Sequence, residues 1–107
     1  MFIKNINFRD EDSLLEQLFD FSLGDAEPEV QQLMTAIDEE LKTNTAFQEY
    51  RATLTDEEDI QELDAEERLI RLAEQLMERY TSFQTEQNKL YGLKDGNRTL
   101  LYTIDLY

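Results

Sequence analysis

Apolar positions along this chain change period several times, and each change marks an element. From Met1 to Phe8 the period is two: Phe2, Ile6 and Phe8 share one parity, Ile3 takes the other, and no acid intervenes. That alternation predicts a short strand. From Asp10 to Leu23 the period lengthens, with Leu14, Leu15, Leu18 and Phe19 on one helical stripe. Ser13 and Glu16 have capping-box spacing, and Gly24 is placed to stop the helix. A second helix is predicted from Glu27 to Lys42, with Val30, Leu33, Met34, Ile37 and Leu41 facing inward. Pro28 suits its first turn, where Asp25, Glu27 and Glu29 complement the helix dipole.

Thr43-Asn44-Thr45 interrupts this pattern. Thr45 and Gln48 are spaced to cap a short helix carrying Phe47, Tyr50 and Leu54; a continuous, kinked helix is the alternative. Thr55 with Glu58 and Asp64 with Glu67 repeat the capping-box spacing. Either two helices meet near Leu63, or one long helix starts at Thr55. Beyond it, Leu69, Ala73, Leu76, Tyr80, Phe83, Gln87 and Leu90 step by four and three, a heptad seam that Ile70, Met77 and Tyr91 widen. The expectation is a helix running to a stop at Gly92 and packed within the fold, with a homodimeric coiled coil as the alternative. Asp95-Gly96 signals a turn. Arg98 to Tyr107 reads as a strand whose more apolar face carries Leu100, Tyr102, Ile104 and Leu106. The N-terminal strand is its natural partner, and Leu90 to Leu93 offers a hairpin arm across Asp95-Gly96. The predicted class is α+β, predominantly helical: three to four helices and a small antiparallel sheet formed by the N- and C-terminal strands, in one domain over residues 1–107.

Composition narrows the chemistry. The chain has neither cysteine nor histidine, which removes disulfides, thiolate metal sites, Cys nucleophiles and the Ser-His-Asp triad. An oxygen-only Mg²⁺ or Ca²⁺ site stays open. No EF-hand order of acids around a central glycine occurs, since Gly24, Gly92 and Gly96 lie elsewhere. The expectation is a protein with no catalytic residues and no cofactor. The N-terminus lacks the apolar core of a signal peptide, and no apolar run approaches the ~18 residues of a membrane span, so the cytoplasm is the expected compartment.

Charge changes the picture most. With 25 acids against 10 bases the formal net charge is −15. Coulomb repulsion disfavours direct binding to nucleic acid or to an anionic membrane, and favours a basic partner. The charge has a centre: eight of the twelve residues from Asp56 to Glu67 are acids and none is a base. On a helix they would hold one carboxylate per roughly 2.2 Å, against about 1.7 Å of axis per phosphate in duplex DNA. The candidate binding residues are Asp56, Glu57, Glu58, Asp59, Glu62, Asp64, Glu66 and Glu67, with Glu39, Glu40 and Glu49 extending the surface. Only Arg68 and Arg71 are near enough in sequence to relieve the repulsion, so a partner is expected to supply positive charge. A solvated helix start that merely keeps the chain soluble is the competing reading. Tyr50, Tyr91, Tyr102 and Tyr107 are secondary interface candidates, or core edges.

The Asp56–Glu67 cluster, in a short, acidic, cysteine-free chain, resembles the small acidic proteins of bacteriophages and mobile elements. These include anti-restriction DNA mimics and anti-CRISPR proteins that block RNA-guided nucleases. The resemblance implies inhibition by occupying the basic channel where nucleic acid would sit, in a host cell's cytoplasm. The alternative reading is a small structural, adaptor or regulatory phage protein acting through a helix-mediated interface.

Overall fold

The computed structural model describes residues 5–22 and 24–104. In chain order these form β1 (Ile6–Phe8), α1 (Glu11–Phe21), β2 (Asp25–Ala26), α2 (Pro28–Thr43), α3 (Thr45–Ala52), α4 (Glu57–Arg79), β3 (Ser82–Glu86), β4 (Lys89–Lys94) and β5 (Asn97–Thr103). The α+β class is as the pattern predicts: four helices and one five-stranded antiparallel sheet that includes strands from both ends of the chain.

Each helix begins at a side-chain cap or a proline, though the caps differ from those expected. Asp10, not Ser13, caps α1, accepting the Ser13 backbone N–H at 2.9 Å. Pro28 opens α2 without a side-chain cap. Asn44 ends α2 and also starts α3, where it replaces Thr45 as the cap and accepts the Phe47 N–H at 2.9 Å. Asp56 caps α4 through the Glu58 N–H at 2.8 Å. One long helix therefore replaces the two that could have met at Leu63.

The heptad seam does not continue as one helix. Helix α4 ends at Arg79, and Tyr80 is extended at φ −128°, ψ 145°. Phe83 and Leu90 belong instead to β3 and β4. Gly92 is not a helix stop: it lies in β4 beneath the Tyr80 ring, where an added Cβ would come within 2.6 Å of a ring carbon. The Tyr80 hydroxyl donates to Glu29 at 2.7 Å, which pins the end of α4 to the start of α2.

Strand order is β1-β3-β4-β5-β2. β1 pairs with β3, Phe8 opposite Phe83, so the two terminal strands share the sheet without touching. Residues 1–4 and 105–107 of the expected terminal strands, and Leu23 of the expected first helix, lie outside the described residues. Asp95 and Gly96 close the β4–β5 hairpin at φ 53° and φ 80°, both left-handed, as a two-residue type I′ turn demands. A bulge corrects the expected faces of β5. Leu90 opposes Tyr102 and Tyr91 opposes Leu100, so Leu101 is the extra residue, and both Leu101 and Tyr102 are buried.

The core lies between one face of the sheet and helices α1, α2 and α4. Leu14, Leu18 and Phe21 enter it from α1, Val30, Leu33, Ile37 and Leu41 from α2, and Leu72, Ala73 and Leu76 from α4. Phe19, expected on the inner stripe of α1, is 69% exposed, and Phe21 takes its place. Ile70, expected to widen the inner stripe of α4, is exposed as well.

Candidate functional site

Helix α4 runs antiparallel to α2, since Glu29 meets Arg79 and Tyr80 at one end while Asp38 meets Arg68 at the other. Its N-terminal half bears the acidic cluster, and helical geometry sorts the acids onto two sides. At 100° per residue, Glu58, Asp59, Glu62 and Glu66 fall within one sector about 100° wide, at spacings of three and four. All four are exposed. Asp64 and Glu67 fall on the opposite side, facing α2 and α3, and both are partly buried.

The inward side is neutralised from within. Arg51 of α3 grips Asp64 with two hydrogen bonds of 3.0 and 3.1 Å. That contact holds the Arg51 guanidinium pKa above its ordinary value, first through the hydrogen bond and then through the carboxylate's charge. Arg71 bridges Glu67 on its own helix and Glu40 on α2. Arg68 binds both oxygens of Asp38 at 2.8 and 3.0 Å. Compensation within the cluster therefore comes from Arg51, thirteen residues upstream of Asp64, and from Arg71, whereas Arg68, also expected to relieve it, is spent on Asp38 of α2. The Arg51–Asp64 and Arg68–Asp38 pairs line an open cleft of about 360 Å³ between α2, α3 and α4, together with Leu41 and Phe47.

The outward side has no such relief. Among the described residues, Glu58, Asp59, Glu62 and Glu66 pair with no base. From Glu58 to Glu66 the axis advances ~12 Å, so four carboxylates occur at one per 3 to 4 Å, near the ~3.4 Å per phosphate of a single DNA strand.

The other expected site residues divide as follows. Asp56 is engaged as the helix cap, and Glu57 is exposed in the first turn beside it. Glu40, Asp64 and Glu67 are spent on internal pairs. Glu39 is exposed on the side of α2 opposite Ile37 and Leu41. Glu49 lies two residues from Arg51, hence nearly opposite it on α3, and points away from α4. Of the tyrosines, Tyr102 is buried, Tyr91 lies under the Arg98 guanidinium at 4.0 Å, and Tyr50 is 57% exposed; Tyr107 is outside the described residues.

Charge is also segregated across the molecule. Residues 1–79 contain 22 acids and 7 bases, whereas residues 80–107 contain three of each. The entire net charge of −15 thus belongs to the helical part and the segments before it, while the β3–β5 meander is balanced. Among the described residues no group of three or more acids is arranged to hold a metal ion, and no helix is long and apolar enough to cross a membrane.

No protein-family model, curated protein or solved structure matches this chain.

Proposed function

We propose that this protein is a binding inhibitor, not an enzyme, and that it occupies the basic nucleic-acid-binding surface of a nucleic-acid-processing enzyme such as an RNA-guided nuclease or a restriction enzyme. One observation carries the reading. The carboxylates of α4 that face inward are matched by arginines, whereas Glu58, Asp59, Glu62 and Glu66 share one exposed face and pair with no base among the described residues. With Arg51, Arg68 and Arg71 engaged on the side facing α2 and α3, α4 leaves a row of negative charge for a partner's lysines and arginines. Glu57 precedes the row in the first turn of α4 and Glu39 lies apart from it on α2; both are exposed and neither forms an ion pair among the described residues.

The reading is tested by competition. Labelled nucleic acid is bound to each of a panel of purified RNA-guided nucleases and restriction enzymes, and this protein is titrated in across a salt series. Displacement from at least one enzyme, weakening steadily as salt rises, is the expected result, because exposed charges are screened within about 8 Å at physiological ionic strength. Displacement from none, or displacement indifferent to salt and to joint replacement of Glu57, Glu58 and Asp59 by lysine, overturns it.

A further inference from the structure

An apolar groove of about 440 Å³ lies beside the acidic face, between the end of α1, β2, α2 and α4. Phe19, Ala26, Met34, Ala65 and Leu69 line it, and the buried Tyr102 forms its floor. Phe19 is the most exposed large apolar side chain among the described residues, and Ala65 is an exposed apolar position inside an acidic helix. Neither position is explained by the core.

The groove is continuous with the charge. Ala65 and Leu69 sit on the same stripe of α4 as Glu62 and Glu58, at helical spacings of three and four. Asp25 lines the groove from β2, and the exposed Asp20 follows Phe19. Arg68 also lines it and is held by Asp38 through Nε and one of its two terminal nitrogens. The lining holds one acid, Asp25, and one base, Arg68, so the negative charge an occupant meets comes from Asp25, the neighbouring Asp20, and Glu62 and Glu58 on the adjoining turns of α4. Resting on the reading of the acidic face as a binding surface, we propose that this groove receives one large apolar side chain from an amphipathic basic segment of the partner protein, whose lysines or arginines lie along Glu58 and Glu62. Nucleic-acid-like charge then supplies attraction, and the groove supplies what a nucleic acid lacks, an apolar anchor point.

The test uses two helical lysine–alanine peptides of about 16 residues, identical except for phenylalanine or alanine at the centre, titrated against the full chain at low salt. The phenylalanine peptide is expected to bind about tenfold tighter, the order expected for burying most of an aromatic side chain. It alone should shift the Met34 methyl resonance. Ala65→Gln, a good helix former at an exposed position, should reduce the advantage below about twofold and leave the alanine peptide's affinity unchanged. Phe19→Gln is the second variant with the same expectation. Equal affinities for the wild type, or an advantage that survives both substitutions, overturns the groove assignment. Weakening of both peptides by Glu58→Gln with Glu62→Gln upholds the acidic face in that event; no weakening overturns the acidic face as well. A concentration-dependent dimer in sedimentation that Ala65→Gln abolishes would put a second copy in the groove and overturn the basic segment.

Discussion

Tyr80 shows how much one side chain can fix that no pattern announces. It ends α4, donates its hydroxyl to Glu29, meets Phe83 edge-on and rests on Gly92. Burial, reinforced by the Glu29 carboxylate, pushes its phenol pKa above the ordinary value, and burial does the same at Tyr102. A raised pKa means that the folded state favours the neutral phenol. Its contribution is therefore complete below the unfolded value of about 10 and is lost as pH climbs through the folded one. We expect Tyr80→Phe to cost about 1 kcal/mol near neutrality, and to remove one late-ionising tyrosine from an ultraviolet titration. Gly92→Ala should cost about 1–3 kcal/mol, because the new methyl meets the Tyr80 ring. In a Tyr80→Leu background that cost should shrink, a coupling that denaturant unfolding of the four proteins would measure. Gly92 was legible as a special position but not as this one. A glycine after an apolar run reads as a helix stop, and the ring that needs the space lies twelve residues away.

At the scale of elements, α1, α2 and the Asp95-Gly96 turn were legible, because a single strong period or a single turn rule governs each. The region from Tyr80 to Leu90 was not. Two of its buried residues, Phe83 and Leu90, happen to extend the three-and-four stepping of Leu69, Ala73 and Leu76, so the seam placed them inward in the wrong conformation; it also took in Gln87, which is exposed at a turn, and passed over the buried Thr85. Strands alternate with period two, and Phe83 with Thr85 and Leu90 with Gly92 do so. Their turn is Gln87-Asn88, with Gln87 at φ 56°, a weaker signal than Asp-Gly. The coiled-coil route to a homodimer thus loses its seam, since Ala73 and Leu76 are fully buried in the fold. Helix α4 itself makes two predictions. Asp56→Ala removes its cap and should destabilise by about 1 kcal/mol in thermal unfolding. Joint replacement of Glu62 and Glu66, beyond the first turn, by glutamine should stabilise by a few tenths of a kcal/mol per relieved pair at low salt, and the gain should vanish near 1 M salt, where screening is within about 3 Å.

For the molecule as a whole, the net charge of −15 was plain from composition, but its distribution was not. Eight acids in twelve residues read as one cluster, yet the fold turns Asp64 onto Arg51 of α3 and Glu67 onto Arg71 of α4 itself, and leaves Glu58, Asp59, Glu62 and Glu66 outward. Sequence spacing within α4 supports that division; the position of Arg51 in space does not follow from it. We propose that this outward face, rather than bulk acidity, does the binding. It is tested most directly by displacement of labelled nucleic acid from the enzyme panel by two variants of equal net charge. One carries Glu58→Gln, Asp59→Asn, Glu62→Gln and Glu66→Gln; the other carries Glu11→Gln, Glu16→Gln, Glu74→Gln and Glu78→Gln, four exposed acids elsewhere. The first is expected to lose potency at least about tenfold while the second stays within about threefold of the wild type. Equal losses in the two variants, or no displacement by the wild type, would contradict it.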